Sequence, residues 1–390
     1  MHTGEYVFSQ VMGCVSRYDF NRCAARYGGG RRVRSLTCRE QFLAMAFGQL
    51  CFRESLRDVV TCLGAHREKL YHLGFRSEPR RSTLADANER RDWRVFRDYA
   101  ELLIGEAKAL YAAAGDSLPD IDGAAYAVDS TTISLCLKLF QWARFDGESA
   151  SVKLHLGLRL GCNIPAFFSI SEGTRHDVRF LDSVSPEAGA RYVMDRGYVD
   201  FARFGRIHCA GAFFVTRAKA GMRFSRAVSR PCDRAAGVVC DQEIRLTGAT
   251  TSKAYPDRLR RIKYRDAETR KTYVFITNDM EADALTVAAL YRSRWQVELF
   301  FKWIKQHLAV KSLWGRSENA VRAQICVALC TFLIVAIAKR RLGIERESYE
   351  IMQILSVSLF DKTPLVELFS RRPAKVEIGE NENTAQLRCF

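Results

Sequence analysis

The chain has 390 residues, with 60 Lys and Arg against 44 Asp and Glu, a formal net charge of +16, 48% hydrophobic residues and 8 prolines. That composition excludes a disordered chain and leaves room for two or three domains with a sizeable core. The positive surplus favours a polyanionic partner, because neutralising phosphates releases condensed counterions, although a merely basic surface fits the charge as well. The 13 cysteines are odd in number, irregularly spaced and free of any C-x-x-C pair, which excludes zinc-finger spacing and a disulfide framework and favours a reducing, cytoplasmic setting. Met1 to Gly13 lacks the pattern of a secretory signal. The longest apolar stretch, Ile325 to Ala338, is 14 residues, short of the roughly 20 that a bilayer span needs, so it is expected to be a core helix with no membrane contact.

Residues 1–118 read as helical and basic. Thr37 with Glu40 three residues on predicts a capping box, and Phe42, Leu43, Met45, Ala46 and Leu50 follow at helical spacing. Further helices are expected from Ser55 through Leu63, after a Ser82-Thr83 cap, and from Trp93 to Tyr111. Their Arg-rich links suit a DNA-binding module, and equally a solvated helical cap on the remainder of the chain.

The pattern then changes. Ala125–Asp129 is a β-like run ending on a carboxylate. Val152 to Leu160 alternates, with Lys153, His155 and Arg159 on the polar side. Ile164–Ile170, a short helical stretch Asp177–Val184, Ala190–Asp195, a helix Phe201–Ala210 and Gly211–Thr216 complete three strands, helix, strand, helix, strand. That is the order of the ribonuclease H-like fold. His176-Asp177 precedes the short helical stretch, and Asp177 reads as its cap, with a catalytic part as the alternative. From about 217 to 278 the period stays near two, with Asp266–Arg270 as a hairpin turn, predicting a β-rich insertion. Helices follow over Asp283–Leu308 and Ser317–Leu342, and residues 371–390 form a polar tail. The fold class expected is therefore α/β: a ribonuclease H-like catalytic region over 119–370, interrupted by the insertion and preceded by a helical domain.

Asp129 and Asp195 each close a β-like run, and Glu298 lies within an amphipathic helix. Three such carboxylates can converge on a pair of hard divalent cations, which prefer oxygen ligands. Two ions roughly 3.5–4 Å apart activate the attacking oxygen and stabilise the leaving one in phosphoryl transfer. Taken singly, an Asp after a strand also fits a turn or cap residue. On one continuous helix Tyr291, Arg294, Glu298 and Lys305 share a stripe, since they are separated by 3, 4 and 7 residues. An ordinary amphipathic helix with an Arg–Glu pair satisfies that pattern too.

The spacing of Tyr291, Arg294, Glu298 and Lys305 resembles the YREK signature of bacterial insertion-sequence transposases of the IS-four family. Asp195-Arg-Gly-Tyr198 is similar to the text around that family's second carboxylate, and Val128-Asp-Ser-Thr-Thr132 to its first. Arg80 to Trp93 and the text from Ser317 onward resemble the subgroup with a helical N-terminal domain, so the likeness runs from about residue 5 to 370. It implies a DDE transposase in which Asp129, Asp195 and Glu298 hold two Mg²⁺ ions, with Mn²⁺ as a substitute. Tyr291, Arg294 and Lys305 would grip phosphates. It implies cut-and-paste transposition through a hairpin intermediate, with a flipped base held by an aromatic residue, for which Trp295 is the candidate. The implied partners are the terminal inverted repeats and target DNA, bound by a homodimer in a synaptic complex. A nuclease that cuts without joining, and a repressor with a vestigial catalytic domain, are the alternatives. The signature Tyr291, Arg294 and Lys305 disfavour the first and the intact acidic triad the second.

Overall fold

The computed structural model describes residues 4–31, 33–113, 123–136, 138–145, 149–308 and 312–370. The expected polar tail and the start of the expected catalytic region lie outside them. Two compact units emerge: a helical one (1–115, 133–152 and 300–390) and a sheet-based one (116–132 and 153–299).

The helical unit begins with α1 (Val7–Gly13), α2 (Arg17–Arg26), α3 (Cys38–Leu50), α4 (Leu56–Gly64), α5 (Arg81–Arg90) and α6 (Arg94–Ala112). The capping box at Thr37 and Glu40 forms, and Ser55 with Asp58 forms a second at α4. Ser82 and Thr83 do not cap α5. The Leu84 N–H closes the first turn on the Arg80 carbonyl at 2.9 Å, placing both hydroxyl residues inside the helix. Phe20, Phe42, Phe96 and Tyr99 interlock in the core with ring centroids 5.0–6.4 Å apart. The apolar stretch Ile325–Ala338 is buried within a long helix, Glu318–Arg341, whose cap is Ser317. By length and composition this helix could cross a membrane, but 94% of its apolar window is buried inside the protein, as a core helix requires. The Tyr111 hydroxyl on α6 donates to the Ala336 carbonyl at 3.1 Å, tying the two helices together.

The sheet is built from β1 (Ala125–Leu135), β2 (Arg144–Phe145), β3 (Ser149–Arg159), β4 (Ile164–Glu172), β5 (Arg191–Met194), β6 (Phe213–Arg217), β7 (Phe224–Arg230), β8 (Val238–Leu246), β9 (Leu259–Arg265) and β10 (Thr272–Thr277). Its order is β3-β1-β5-β6-β10-β9-β8-β7, with β4 and the short β2 both paired to β3. β1, β5 and β6 are mutually parallel. The order β4-β3-β1-β5-β6, with β1, β5 and β6 parallel, defines the ribonuclease H-like fold, as the sequence predicts. The β-rich segment over 217–278 is not a separate module. β10 pairs antiparallel with β6, so β7–β10 extend the same sheet.

Helix α7 (Phe201–Cys209) covers one face of the sheet, with the short α8 (Thr251–Ala254), and α9 (Ala284–Ser293) covers the other. The alternation along β10 decides this. Phe275 meets Tyr291 of α9 with centroids 5.0 Å apart, while the adjacent Ile276 joins the cluster of Phe204, Phe214, Tyr192 and Met194 on the α7 side. Gly157 on β3 lies under the Phe167 ring. A Cβ there would come within 2.0 Å of that ring, so glycine is what allows β4 to lie against β3.

The remaining helices are α10 (Trp295–His307), the core helix α11 (Glu318–Arg341), α12 (Ser348–Ser358) and α13 (Leu365–Ser370). The sequence predicts one helix over Asp283–Leu308. The structure breaks it at Arg294, where the Arg294 N–H bonds Tyr291 and the Val297 N–H bonds Arg294, both three residues back, tightening the turn between α9 and α10.

Candidate active site

The last register pair between β1 and β5 is Val128 with Met194. Asp129 and Asp195 are therefore the next pair, side by side on strands that run about 4.8 Å apart. Asp129 is not at the end of its strand, since β1 continues to Leu135. What ends there is continuous burial, because residues 125–128 are buried and residues 129–131 are half-exposed once β5 stops. Asp195 caps the short turn Arg196–Tyr198, its Oδ1 accepting the Gly197 N–H at 2.8 Å. Ser130 N–H donates to Asp129 Oδ1 at 2.8 Å.

The helix break brings in the third carboxylate. Arg294, at the junction, donates through Nη1 to Asp129 Oδ2 at 3.2 Å and through Nη2 to Glu298 Oε1 at 2.5 Å. Its guanidinium also lies 5.7 Å from the centroid of the Tyr291 ring. Tyr291, Arg294 and Glu298 thus gather, on two helices meeting at Arg294 instead of on one continuous stripe. Lys305 is half-buried two turns beyond Glu298 on α10, in the segment that belongs to the helical unit.

Burial pushes the Asp129 carboxyl up to about 6. The Ser130 N–H and Arg294 oppose the rise, while the charges of Asp195 and Glu298 add to it. Asp195 and Glu298 are thus near enough for their charges to be felt at Asp129. Among the described residues no group of three His, Cys, Asp or Glu side chains is arranged to hold a metal ion. The Arg294 guanidinium stands between Asp129 and Glu298 as their countercharge. An all-carboxylate donor set fits a hard divalent ion, and the guanidinium marks where positive charge is needed.

Trp295, the first residue of α10, is 56% exposed and so is not a core tryptophan. It borders a cavity of about 230 Å³ lined also by Arg217, Tyr264, Tyr273, Tyr291 and Arg294. Arg217 lies over the Tyr273 ring at 5.2 Å. Sequence reading missed Arg217, Tyr264 and Tyr273, although the alternation Tyr273, Phe275 on β10 already placed both rings on one face. It also passed over charge. Residues 217–278 hold fifteen Lys and Arg against six Asp and Glu, a larger surplus than the nineteen against fourteen of residues 1–118.

Asp177 is not a helix cap. His176 holds the cap position without a side-chain bond, and Asp177 opens the turn Asp177–Ser183 with its carboxylate 3.0 Å from Lys153 Nζ. His155, expected on a polar face, is buried with its Nε2 at 2.8 Å from Ser171 Oγ.

A ribonuclease H-like sheet with acidic residues side by side on adjacent parallel strands, and a third on a later helix, is the arrangement of polynucleotidyl phosphoryl-transfer enzymes. Comparison with known proteins narrows it. Residues 122–334 match the family described as Transposase DDE domain, and residues 3–76 match a domain of unknown function, DUF4372. The chain is 32% identical over 315 residues to “Putative transposase y4zB” of Sinorhizobium fredii, covering 80% of this chain and 84% of that one. It is 33% identical over 210 residues to “Probable transposase for insertion sequence element IS5377” of Geobacillus stearothermophilus, covering 53% and 55%. A third relative, “Putative transposase for insertion sequence element IS4SA” of Synechocystis, is 26% identical over 261 residues, covering 65% and 70%. A cryo-EM structure of the piggyBac transposase synaptic complex with hairpin DNA aligns over 98% of this chain and 87% of that chain at 10% identity and a TM-score of 0.44. The fold assignment rests on the strand order and not on that alignment. The chain belongs to the DDE transposase family and is an enzyme of DNA cleavage and transfer, of the insertion-sequence type that the Tyr291–Lys305 signature resembles.

Proposed function

We propose that the protein binds the terminal inverted repeats of an insertion sequence and moves that element by cut-and-paste. The observation that carries this reading is the meeting of Asp129 and Glu298 on Arg294 beside Asp195. Asp129, Asp195 and Glu298 would hold two Mg²⁺ ions, or Mn²⁺ in their place. Such ions activate the attacking oxygen and stabilise the leaving oxygen at phosphorus. The chain's own residues orient the DNA. Arg294 would present a planar fork to a phosphate oxygen pair. Tyr291 and Lys305 grip neighbouring phosphates. Water first cleaves the phosphodiester, and the freed 3′-hydroxyl then attacks the opposite strand to close a hairpin, displacing a 3′-oxygen. The exposed Trp295 and the cavity of Tyr264 and Tyr273 supply stacking surfaces for a base flipped from that hairpin. The basic segment 217–278 adds electrostatic attraction for the duplex, and residues 1–118 recognise the repeat. Two copies act together in a synaptic complex in the cytoplasm.

The test is cleavage of a labelled transposon end by purified protein with Mg²⁺. Asp129→Ala, Asp195→Ala and Glu298→Ala should each abolish nicking while leaving DNA binding within a few-fold of wild type. A mutant that cuts at the wild-type rate removes that residue from the triad.

A further inference from the structure

A polar bracket links β3, the strand beside that of Asp129, to the turn Asp177–Ser183. Lys153 on β3 donates to the Arg175 carbonyl at 3.0 Å and pairs with Asp177 at 3.0 Å, and the Lys153 side chain is only 16% exposed. His155, two residues along the same strand, places its Nδ1 4.0 Å from the same carboxylate. Burial drives the His155 ring down to about 4 despite Asp177, so it stands neutral beside the pair. One strand thus anchors the start of the turn Asp177–Ser183 through a lysine that reaches both a backbone carbonyl and a carboxylate.

That turn packs on the next one, Arg196–Tyr198, whose cap is Asp195. The Tyr198 side chain is buried between them. Its hydroxyl lies near the Ser130 side chain and within electrostatic reach of Asp129, Asp177 and Asp195. β3 in turn flanks β1, the strand of Asp129, with the Leu160 N–H donating to the Ala125 carbonyl at 2.8 Å. The Lys153–Asp177 pair therefore ties β3, the strand beside that of Asp129, to the turn that packs on the one capped by Asp195.

We propose that Asp177 is a positioning residue, which with Lys153 holds the turn packed on the Asp195 cap and so sets how tightly the triad holds a divalent ion. This rests on the proposed metal-binding role of the triad. Asp177 acts through the ion pair and the stacked turns and does not itself bind the ion. Loss of such outer partners of a metal site typically costs about 10–100-fold in metal affinity.

The test measures Mn²⁺ binding to the full chain from the electron paramagnetic resonance signal of free Mn²⁺, with circular dichroism and a thermal melt reporting the fold. Asp177→Asn and Lys153→Met should each weaken Mn²⁺ binding by roughly 10-fold or more. The double variant should be no weaker than the worse single one, because both remove the same link. Lys153→Arg, which keeps the charge, should bind close to wild type and carries the test if Asp177→Asn fails to fold. Unchanged Mn²⁺ affinity in a folded Asp177→Asn overturns the proposal. So does a double variant that loses the product of the two single effects, which would make Asp177 a ligand in its own right. Wild-type Mn²⁺ binding that survives Asp129→Ala overturns the triad reading, and the positioning role with it.

Discussion

Arg294 and Asp129, 165 positions apart in the chain, meet at 3.2 Å where a helix break faces the point at which two parallel strands part. With Glu298 on its other prong at 2.5 Å, the guanidinium is held at both ends by carboxylates and is largely buried. In the proposed function it would have two tasks that compete: neutralising the acidic cluster when no metal is bound, and contacting DNA when the carboxylates are engaged.

Removing Arg294 should separate these tasks. In metal-free protein, Arg294→Ala leaves two partly buried carboxylates without their countercharge, which should cost about 3 kcal/mol of stability. Added Mg²⁺ should then raise the melting temperature of the variant by more than that of wild type. Calorimetry with and without Mg²⁺ checks this, and equal shifts would show that the guanidinium and the ion do not share the carboxylates.

Arg294→Lys keeps the charge and loses the fork. Initial nicking should persist in part, with hairpin formation and strand transfer falling disproportionately. Quantifying nicked, hairpin and joined products on one labelled end distinguishes this from equal loss of all three.

The Asp129 carboxyl sits at about 6 against an ordinary 3.8, so the folded state holds its proton at pH values where the unfolded chain has lost it. Metal-free stability should consequently fall as pH rises between about 4 and 6. The loss is at most about 3 kcal/mol for a shift of roughly two units. In Asp129→Asn that part of the pH dependence should disappear. Urea titrations of both proteins at pH 4 and pH 7 give the difference directly.

Trp295 offers the opposite profile. Being 56% exposed, it should contribute little to stability, and Trp295→Ala should shift the unfolding free energy by no more than about 0.5 kcal/mol. If it stacks on a flipped base, the same change should reduce hairpin yield several-fold and abolish the enhanced fluorescence of 2-aminopurine at the transposon end. Unaltered fluorescence would remove Trp295 from base recognition.

At Glu40, burial works against the charge, but the Arg76 and Thr37 donors hold the carboxyl below its usual range. The Arg76 and Thr37 N–H groups reach it at 2.7 and 2.6 Å. Thr37→Ala should cost about 1 kcal/mol and Glu40→Gln about 2 kcal/mol. Both are measured as loss of denaturation free energy at pH 7, with cleavage by the surviving folded protein unchanged.

Local chemistry alone determined much of this protein. Thr37 and Glu40 cap α3 because their side chains lie within reach of each other's backbone N–H across one turn, and the alternation around residues 125–129 and 190–195 is a property of a chain with one buried face. The acidic residues and the Tyr291–Lys305 signature were likewise legible, because residue type and spacing are written in the chain. Other features depended on tertiary contacts. The helix over Asp283–Leu308 breaks at Arg294, where the side chain turns to Asp129 on a distant strand. Asp177 pairs with Lys153 instead of capping its turn, since an ammonium from β3 lies within reach. β10 joins β6, making the insertion part of the catalytic sheet, because an unpaired strand edge needs backbone partners that periodicity does not specify. Periodicity tells which face of an element is buried. Which partner covers it is decided only when distant segments pack, and that is what placed Arg294 between two carboxylates.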